Sequence, residues 1–158
     1  MKGKGSSFNK NWVEYRNGFG SIAEKNYWIG LEKLHNLTYS GSYGLQIVLK
    51  MNNGGDRVVE YEVFRVTGEQ DKYRLFINRF KAGNSGLADR FSYHNGSPFS
   101  TFDRDNDNWS KNCAKEYAGG WWFKDCYHSH LNNVNGPAWI QWNQYEQEST
   151  MILKKITN

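Results

Sequence analysis

The chain has 158 residues, of which 38% are hydrophobic and 23% are charged, and its formal net charge is +4. That length suits one domain with a real core, and the composition excludes a disordered chain. No run of about 18 apolar residues occurs and the basic residues are scattered, so we expect neither a membrane span nor a nucleic-acid partner. Residues 1–7 lack an apolar stretch, and we expect a tail there and not a signal peptide, followed by one globular domain over residues 8–158.

Two short helices are predicted before residue 40. Aromatic residues recur at helical spacing over residues 8–15, and Gly18 then ends the pattern. Apolar residues with the same spacing over residues 27–34 predict a second helix.

Strands follow, because apolar residues alternate with others over residues 45–49, 59–63 and 73–77. The sequence Asn-Asn-Gly-Gly at residues 52–55 predicts a hairpin turn, since these residue types tolerate positive φ. Alternation over residues 150–156 predicts a closing strand. The predicted fold class is therefore α+β, with a small twisted antiparallel sheet flanked by short helices.

Residues 81–143, here called the loop half, lose this periodicity and are rich in Gly, Asn, Asp, Ser, Trp and His. So long an irregular segment indicates loops that are functional or are held by a metal and a disulfide. Five of the seven tryptophans lie there: Trp109, Trp121, Trp122, Trp139 and Trp142. Loop aromatics build a satellite core or line a carbohydrate-sized pocket, and composition favours the core.

The densest polar cluster is residues 103–108, Asp-Arg-Asp-Asn-Asp-Asn. Alternating carboxylates on a short loop suit a hard cation such as Ca²⁺, which prefers oxygen ligands. The run begins like an EF-hand loop, but Asn108 replaces the glycine and Ala114 the final glutamate of that motif. A solvated turn stabilised by its own side chains is the alternative, and the hexapeptide leaves both open.

The two cysteines, Cys113 and Cys126, have the spacing C-x12-C. A disulfide across this loop would contribute about 3 kcal/mol in the chain-entropy description. Two unrelated thiols are the alternative, and a zinc site with His128 and His130 is weaker because the spacing matches no standard zinc motif.

Asn36 and Asn108 begin glycosylation sequons, which support secretion weakly because such sequons are common. No nucleophile-elbow, zincin or phosphate-binding motif occurs in the sequence, so we do not expect an enzyme.

Several runs of this sequence together resemble one family. They are NYWIGLEKLHNLT at residues 26–38, SYHNGSPFSTFDRDND at 92–107, NCA at 112–114, GGWW at 119–122, then Cys126 and Leu131-Asn132. In this order and spacing they are similar to fibrinogen-related domains, the C-terminal globular domain of fibrinogen and its relatives. The resemblance extends from residue 8 to about residue 156.

The resemblance implies a Cys113–Cys126 disulfide and a calcium site in the loop half. Its ligands would be the carboxylates of Asp105 and Asp107 and the backbone carbonyls of Trp109 and Lys111. Asp103 would be a neighbour outside the ligand set.

The family's ligand pocket lies beside the metal loop. The resemblance places Tyr117 where acetyl-binding members have a tyrosine, and it implies a cis peptide between Asp125 and Cys126. Further ligand contacts are expected from three side chains that would stack on the ligand or form hydrogen bonds with it: Trp121, Tyr127 and His128.

Two departures from the family pattern affect the pocket. Tyr127 occupies a position that is commonly histidine, and a segment that usually supplies a pocket wall is missing between Asn133 and Asn135. The resemblance implies a secreted, calcium-binding, lectin-like module of ficolin type that binds acetylated or other glycans in innate recognition and can form homo-oligomers. The alternative is a receptor- or matrix-binding module of angiopoietin-like or tenascin-like type.

Overall fold

The computed structural model describes residues 1–3, 5, 7–140 and 146–157, so Trp142 and the end of the loop half lie outside the described residues. No helix within those ranges is long and apolar enough to cross a membrane. The elements are, in chain order, β1 (Lys2–Gly3), α1 (Trp12–Asn17), β2 (Phe19–Ser21), β3 (Asn26–Trp28), α2 (Leu31–Tyr39), β4 (Tyr43–Lys50), β5 (Asp56–Val66), β6 (Leu75–Lys81), α3 (Cys113–Tyr117), β7 (Ser129–His130), β8 (Ala138–Trp139) and β9 (Glu148–Lys155), with 3₁₀ turns at Glu69–Asp71 and Ser92–His94.

A five-stranded antiparallel sheet in the order β1-β9-β4-β5-β6 organises the first half of the chain. The β4–β5 pairing confirms the predicted hairpin turn at residues 52–55. The predicted closing strand is confirmed as β9, which pairs with β4 along its whole length. The C-terminal strand therefore lies inside the sheet, and the predicted α+β fold class is confirmed. We call residues 1–80 together with β9 the sheet half.

The alternation of β5 changes phase in its second part. Tyr61 is buried, but Val63 is 40% exposed, and Phe64 takes the next buried position. On the neighbouring strand Arg79 has φ 60°, which interrupts the alternation of β6 at the same level. The expectation that residues 59–63 share one buried face is therefore wrong at Val63. The third predicted strand starts at Leu75 and not at residue 73.

The first helix begins later than predicted, at Trp12 and not at residue 8. The Asn11 side chain accepts the Glu14 N–H (2.9 Å), and the Glu14 carboxylate accepts the Asn11 N–H (2.9 Å). This reciprocal capping box fixes the helix start, because it satisfies two N–H groups that have no partner inside the helix. Phe8 precedes the helix and is buried beside it.

The second predicted helix is wrong in its first part, because residues 26–28 form a strand. β3 pairs with β2, and α2 begins only at Leu31. Gly30, which separates them, has φ 105°, and a Cβ at this position would lie 2.9 Å from the carbonyl oxygens of Arg16 and Asn17. The apolar spacing over residues 27–34 therefore crosses a break that only glycine accommodates.

The N-terminal residues are partly ordered in the sheet. β1 pairs with β9 through Lys2↔Ser149 and Gly3↔Glu148, and Lys2 is only 2% exposed. The expectation of a tail over residues 1–7 is therefore wrong for Lys2 and Gly3. Short strands gain their backbone hydrogen bonds from a neighbour, and β9 supplies one here.

The core extends from the sheet into the loop half. Trp122 is fully buried against Phe64 of β5 and Phe99 of the loop half, and its indole N–H donates to the Tyr73 carbonyl (2.8 Å). Trp121 and Trp139 are also almost completely buried. These loop aromatics are core, as the composition favoured.

Candidate functional site

The acidic residues predicted to bind calcium lie on one turn of the loop half, residues 103–109, here called the acid loop. Asn106 holds this loop to the core: its N–H donates to the Ser100 hydroxyl (2.9 Å) and its side-chain amide donates to the Phe99 carbonyl (2.8 Å). The residues on either side of Asn106 are thus held at a fixed position above the core.

Asp103 faces away from the other acids of the loop. Its carboxylate accepts the Trp12 N–H (3.0 Å) at the start of α1 and the Thr101 hydroxyl (2.7 Å). Asp103 therefore connects the acid loop to the sheet half. It is a neighbour of the expected metal site and not a member of the acidic pair.

Asp105 and Asp107 come together at the centre of the acid loop. The Asp105 carboxylate accepts the Asp107 N–H (3.2 Å), while the two oxygens of Asp107 accept the Trp109 N–H (3.0 Å) and the Cys113 N–H (2.9 Å). Burial raises the pKa of Asp107 to about 6, the two amide N–H groups oppose that rise, and the nearby Asp105 carboxylate adds to it. Two carboxylates this close repel each other when both are ionised.

This donor set fits a hard divalent cation. Two carboxylates converge, and a cation between them would relieve their repulsion. Among the described residues no third acidic, histidine or cysteine side chain joins the pair, so backbone carbonyls have to complete the coordination. Trp109 and Lys111 are the expected carbonyl donors, and the Lys111 ammonium lies 5.4 Å from the Trp109 ring centroid.

A disulfide connects Cys113, the first residue of α3, to Cys126, with Cα atoms 5.3 Å apart. The predicted pairing is confirmed. Because Asp107 accepts the N–H of Cys113, the disulfide and the acidic pair stabilise the same piece of backbone.

The expected cis peptide between Asp125 and Cys126 is wrong, since the described residues contain no cis peptide bond. Instead Cys126 has φ 52°, a left-handed conformation that is uncommon for non-glycine residues. It allows a narrow turn in which the Lys124 N–H donates to the Cys126 carbonyl (3.1 Å). The Lys124 carbonyl in turn accepts the Asn108 N–H (2.8 Å), which joins this turn to the acid loop.

Three half-buried aromatic residues lie beside the acid loop: Trp109, Tyr117 and Tyr127, here called the aromatic wall. The Tyr117 and Tyr127 rings meet edge to face with centroids 5.0 Å apart, and the Trp109 ring lies 6.5 Å from that of Tyr117. Edge-to-face pairs of this kind are favourable arrangements of aromatic rings. The wall thus offers exposed ring surface next to the acidic pair.

Trp121 does not belong to this surface. It is fully buried, its backbone pairs with Ser100, and its ring packs against Phe91. The expectation that Trp121 contacts a ligand is therefore wrong: a side chain without exposed surface stabilises the core and offers a ligand nothing to stack on.

His128 lies on a second surface, next to the aromatic wall along the chain. Its ring stacks on Tyr93 with centroids 3.7 Å apart and planes at 13°. The Tyr93 hydroxyl donates to the Asp125 carbonyl (3.3 Å). The expected ligand residues therefore separate into two neighbouring groups, with Tyr117 and Tyr127 in one and Asp125 and His128 in the other.

The profile of the C-terminal globular domain of fibrinogen beta and gamma chains matches residues 1–156. This chain belongs to that family. The family consists of non-enzymatic recognition modules.

Similar proteins carry the same fibrinogen-related domain. Human ficolin-3 is 42% identical over 125 residues, which are 79% of this chain and 41% of ficolin-3. Mouse angiopoietin-related protein 6 is 43% identical over 128 residues, 81% of this chain and 27% of that protein. The solved fibrinogen-like globe domain of human ANGPTL2 has a TM-score of 0.91 and 33% identity, and the match covers 98% of this chain and 77% of that one. This chain thus spans less than half the length of the two curated relatives.

Sequence reasoning missed two polar residues that position this fibrinogen-related domain's site. One is Asn106, and the other is His94, whose Nδ1 contacts the Trp122 carbonyl (2.8 Å) and whose Nε2 accepts the N–H groups of His128 (3.2 Å) and Ser129 (3.1 Å). Both lie inside the run 92–107 that carries the resemblance, but neither has a spacing that predicts its partners.

The two predicted glycosylation sites are both exposed. Asn36 lies on the outer face of α2, while the hydroxyl of Thr38 in its sequon donates to the Leu34 carbonyl (2.8 Å) and accepts the Val66 N–H (3.1 Å). Asn108 belongs to the acid loop. Modification of either asparagine stays a prediction.

Proposed function

We propose that this fibrinogen-related domain is a secreted, calcium-dependent, lectin-like module that binds acetylated or other glycans at the aromatic wall. One observation carries the proposal: the Asp107 carboxylate accepts the N–H of Trp109, so the acidic pair and the wall share a direct hydrogen bond. Similarity to human ficolin-3 supports the same type of module. The disulfide supports an oxidising, extracellular location.

The wall and the acid loop have different tasks in this proposal. Half-buried tyrosine rings bind the apolar face or acetyl group of a sugar, as in pockets with a few well-placed polar groups. Asp105 and Asp107, with the carbonyls of Trp109 and Lys111, would hold Ca²⁺, which would supply the positive charge that offsets their repulsion. Since Asp107 also holds the Trp109 backbone, an ordered acid loop keeps the Trp109 ring at the wall.

The test is a glycan array probed with the protein in calcium and in EDTA. We expect binding of N-acetylated glycans in calcium and its loss in EDTA. Binding that is equal in both conditions would contradict the calcium dependence.

A protein-binding module is the second candidate. It is favoured by the burial of Trp121, which leaves the wall with fewer rings than expected, and by the similarity to angiopoietin-related protein 6. If no glycan binds in saturating calcium, this candidate replaces the lectin, with the same loop surface as the contact region for a receptor or matrix protein.

A further inference from the structure

Three cationic side chains surround one aromatic ring next to the aromatic wall. Arg90 precedes the 3₁₀ turn at Ser92–His94, while Lys124 and His128 lie on either side of the narrow turn at Cys126. The ring is that of Tyr93, and we call the four residues Arg90, Tyr93, Lys124 and His128 the cationic patch.

The patch is held together by direct contacts. His128 stacks on one face of Tyr93 at 3.7 Å, and the Lys124 ammonium lies 5.2 Å from the centroid of the same ring. Arg90 joins them through its carbonyl, which accepts the Ser129 hydroxyl (3.5 Å). These contacts depend on the buried His94, which receives the N–H groups of residues 128 and 129.

The positive charge of the patch is not balanced by a salt bridge. Within the described part of the chain every ion pair lies elsewhere, and none contains Arg90 or Lys124. Asp89 is close in sequence, but its carboxylate accepts the Tyr61 hydroxyl (2.7 Å) and the Ser92 N–H (3.0 Å). Asp125 is exposed and contacts Tyr93 through its backbone carbonyl.

Arg90 also has an unsatisfied donor. Its Nε atom is buried and has no hydrogen-bond partner among the described residues. Buried polar groups are nearly always hydrogen-bonded, so an orphaned guanidinium nitrogen indicates a partner from outside the chain. Guanidinium groups prefer planar, doubly hydrogen-bonded anions such as carboxylate and sulfate.

We propose that the cationic patch is a subsite for the acidic group of a glycan, a carboxylate or a sulfate bound by Arg90 and Lys124 beside the Tyr93–His128 stack. The patch adjoins the aromatic wall through the consecutive residues Tyr127 and His128, so one sugar chain reaches both surfaces. That the anion is part of a sugar rests on the proposed function, whereas the anion site itself rests on the patch alone.

The main experiment is calorimetric titration, in calcium and low salt, with N-acetylglucosamine, its sulfated form and N-acetylmuramic acid, which carries a carboxylate. We expect the protein to bind at least one acidic sugar about tenfold more tightly than the neutral one. The comparison of sulfated sugar with N-acetylmuramic acid shows which acidic group fits. Equal affinity for all three sugars would overturn the proposal.

Arg90→Gln should abolish the preference for the acidic sugar and leave the affinity for N-acetylglucosamine unchanged. Arg65→Gln is the matched control, because the Arg65 guanidinium also lies over an aromatic ring, 4.9 Å from the Tyr39 centroid, in a different part of the surface. A preference that survives in Arg90→Gln, with unchanged melting temperature, would overturn the assignment of Arg90.

Inorganic sulfate separates this inference from the proposed function. Added without calcium and followed by NMR, it should shift the imidazole signals of His128 in the unmodified protein and in Arg65→Gln, but not in Arg90→Gln. If no sugar binds and sulfate still shifts His128, the lectin proposal fails and the anion site stands. If neither sulfate nor an acidic sugar affects His128, the anion site is wrong.

Discussion

The sheet half and the loop half of this domain are ordered by different interactions. In the sheet half, apolar side chains alternate along paired strands, and burial of one face determines the structure. In the loop half, a disulfide, the side chains of Asn106 and His94, and fully buried indoles hold irregular backbone. The comparison shows that a recognition surface can be built from loops when specific polar and covalent contacts replace regular pairing.

Trp122 joins the two halves, so its removal should have the largest effect. Trp122→Ala removes a fully buried indole that packs on Phe64 and Phe99 and donates to Tyr73. We expect the free energy of unfolding to fall by about 3–5 kcal/mol in urea titration. The matched control is Trp109→Ala, which removes a half-buried indole and should lose clearly less. Equal losses would mean that Trp122 does not connect the halves.

The same contrast explains what the sequence could predict. Alternation located β4, β5 and β9 because burial on one face leaves a period of two in the sequence. The start of α1 was also visible in principle, since Asn11 and Glu14 have the spacing of a capping box. Gly30 hid the break between β3 and α2, because the positive φ that it supplies cannot be read from apolar spacing.

The candidate site was less predictable than the fold. The resemblance located the acidic pair and the disulfide, but composition cannot tell a buried Trp121 from an exposed Trp109. Which way a loop aromatic points depends on contacts with distant residues, such as the pairing of Trp121 with Ser100. The partners of His94 lie more than 25 residues away along the chain, and no local pattern encodes them.

Acid should weaken the loop half through its buried histidines. Burial lowers the pKa of His94 from 6.5 to about 3 and lowers that of His130 as well, so both are neutral in the native state. The unfolded chain takes up these protons first as the pH falls. The stability is therefore fully present above about pH 6.5 and falls below it by about 1.4 kcal/mol per pH unit for each histidine. Urea titrations at several pH values in EDTA measure this slope.

Asp107 acts in the opposite direction and supplies a control. Its raised pKa means that the native state binds a proton below about pH 6 more readily than the unfolded state does, which partly offsets the loss from the histidines. Asp107→Asn should therefore lose stability more steeply with acid than the unmodified protein. A stability that stays constant between neutral and mildly acidic pH would contradict the buried, neutral histidines.

Tyr117 tests whether the aromatic wall serves binding or stability. It is half-buried against Tyr127, so Tyr117→Ala should weaken binding of N-acetylated sugars by about 1–3 kcal/mol. Unfolding in urea should change less than in Trp122→Ala, because the ring is not fully buried. Calorimetry and urea titration on the same variant separate the two roles. A large loss of stability with unchanged sugar affinity would make Tyr117 a core residue.

Calcium titration tests most directly whether a cation at the acidic pair organises the recognition site. The variant is Asp105→Asn with Asp107→Asn, because asparagine keeps the side-chain shape and an oxygen acceptor while it removes the charge. Asp103→Asn is the matched control, since Asp103 contacts Trp12 and Thr101 and lies outside the pair. We expect calorimetric calcium binding by the unmodified protein and the control, and its loss in the double variant. Unchanged calcium affinity in the double variant, or no calcium binding by the unmodified protein, would contradict the account.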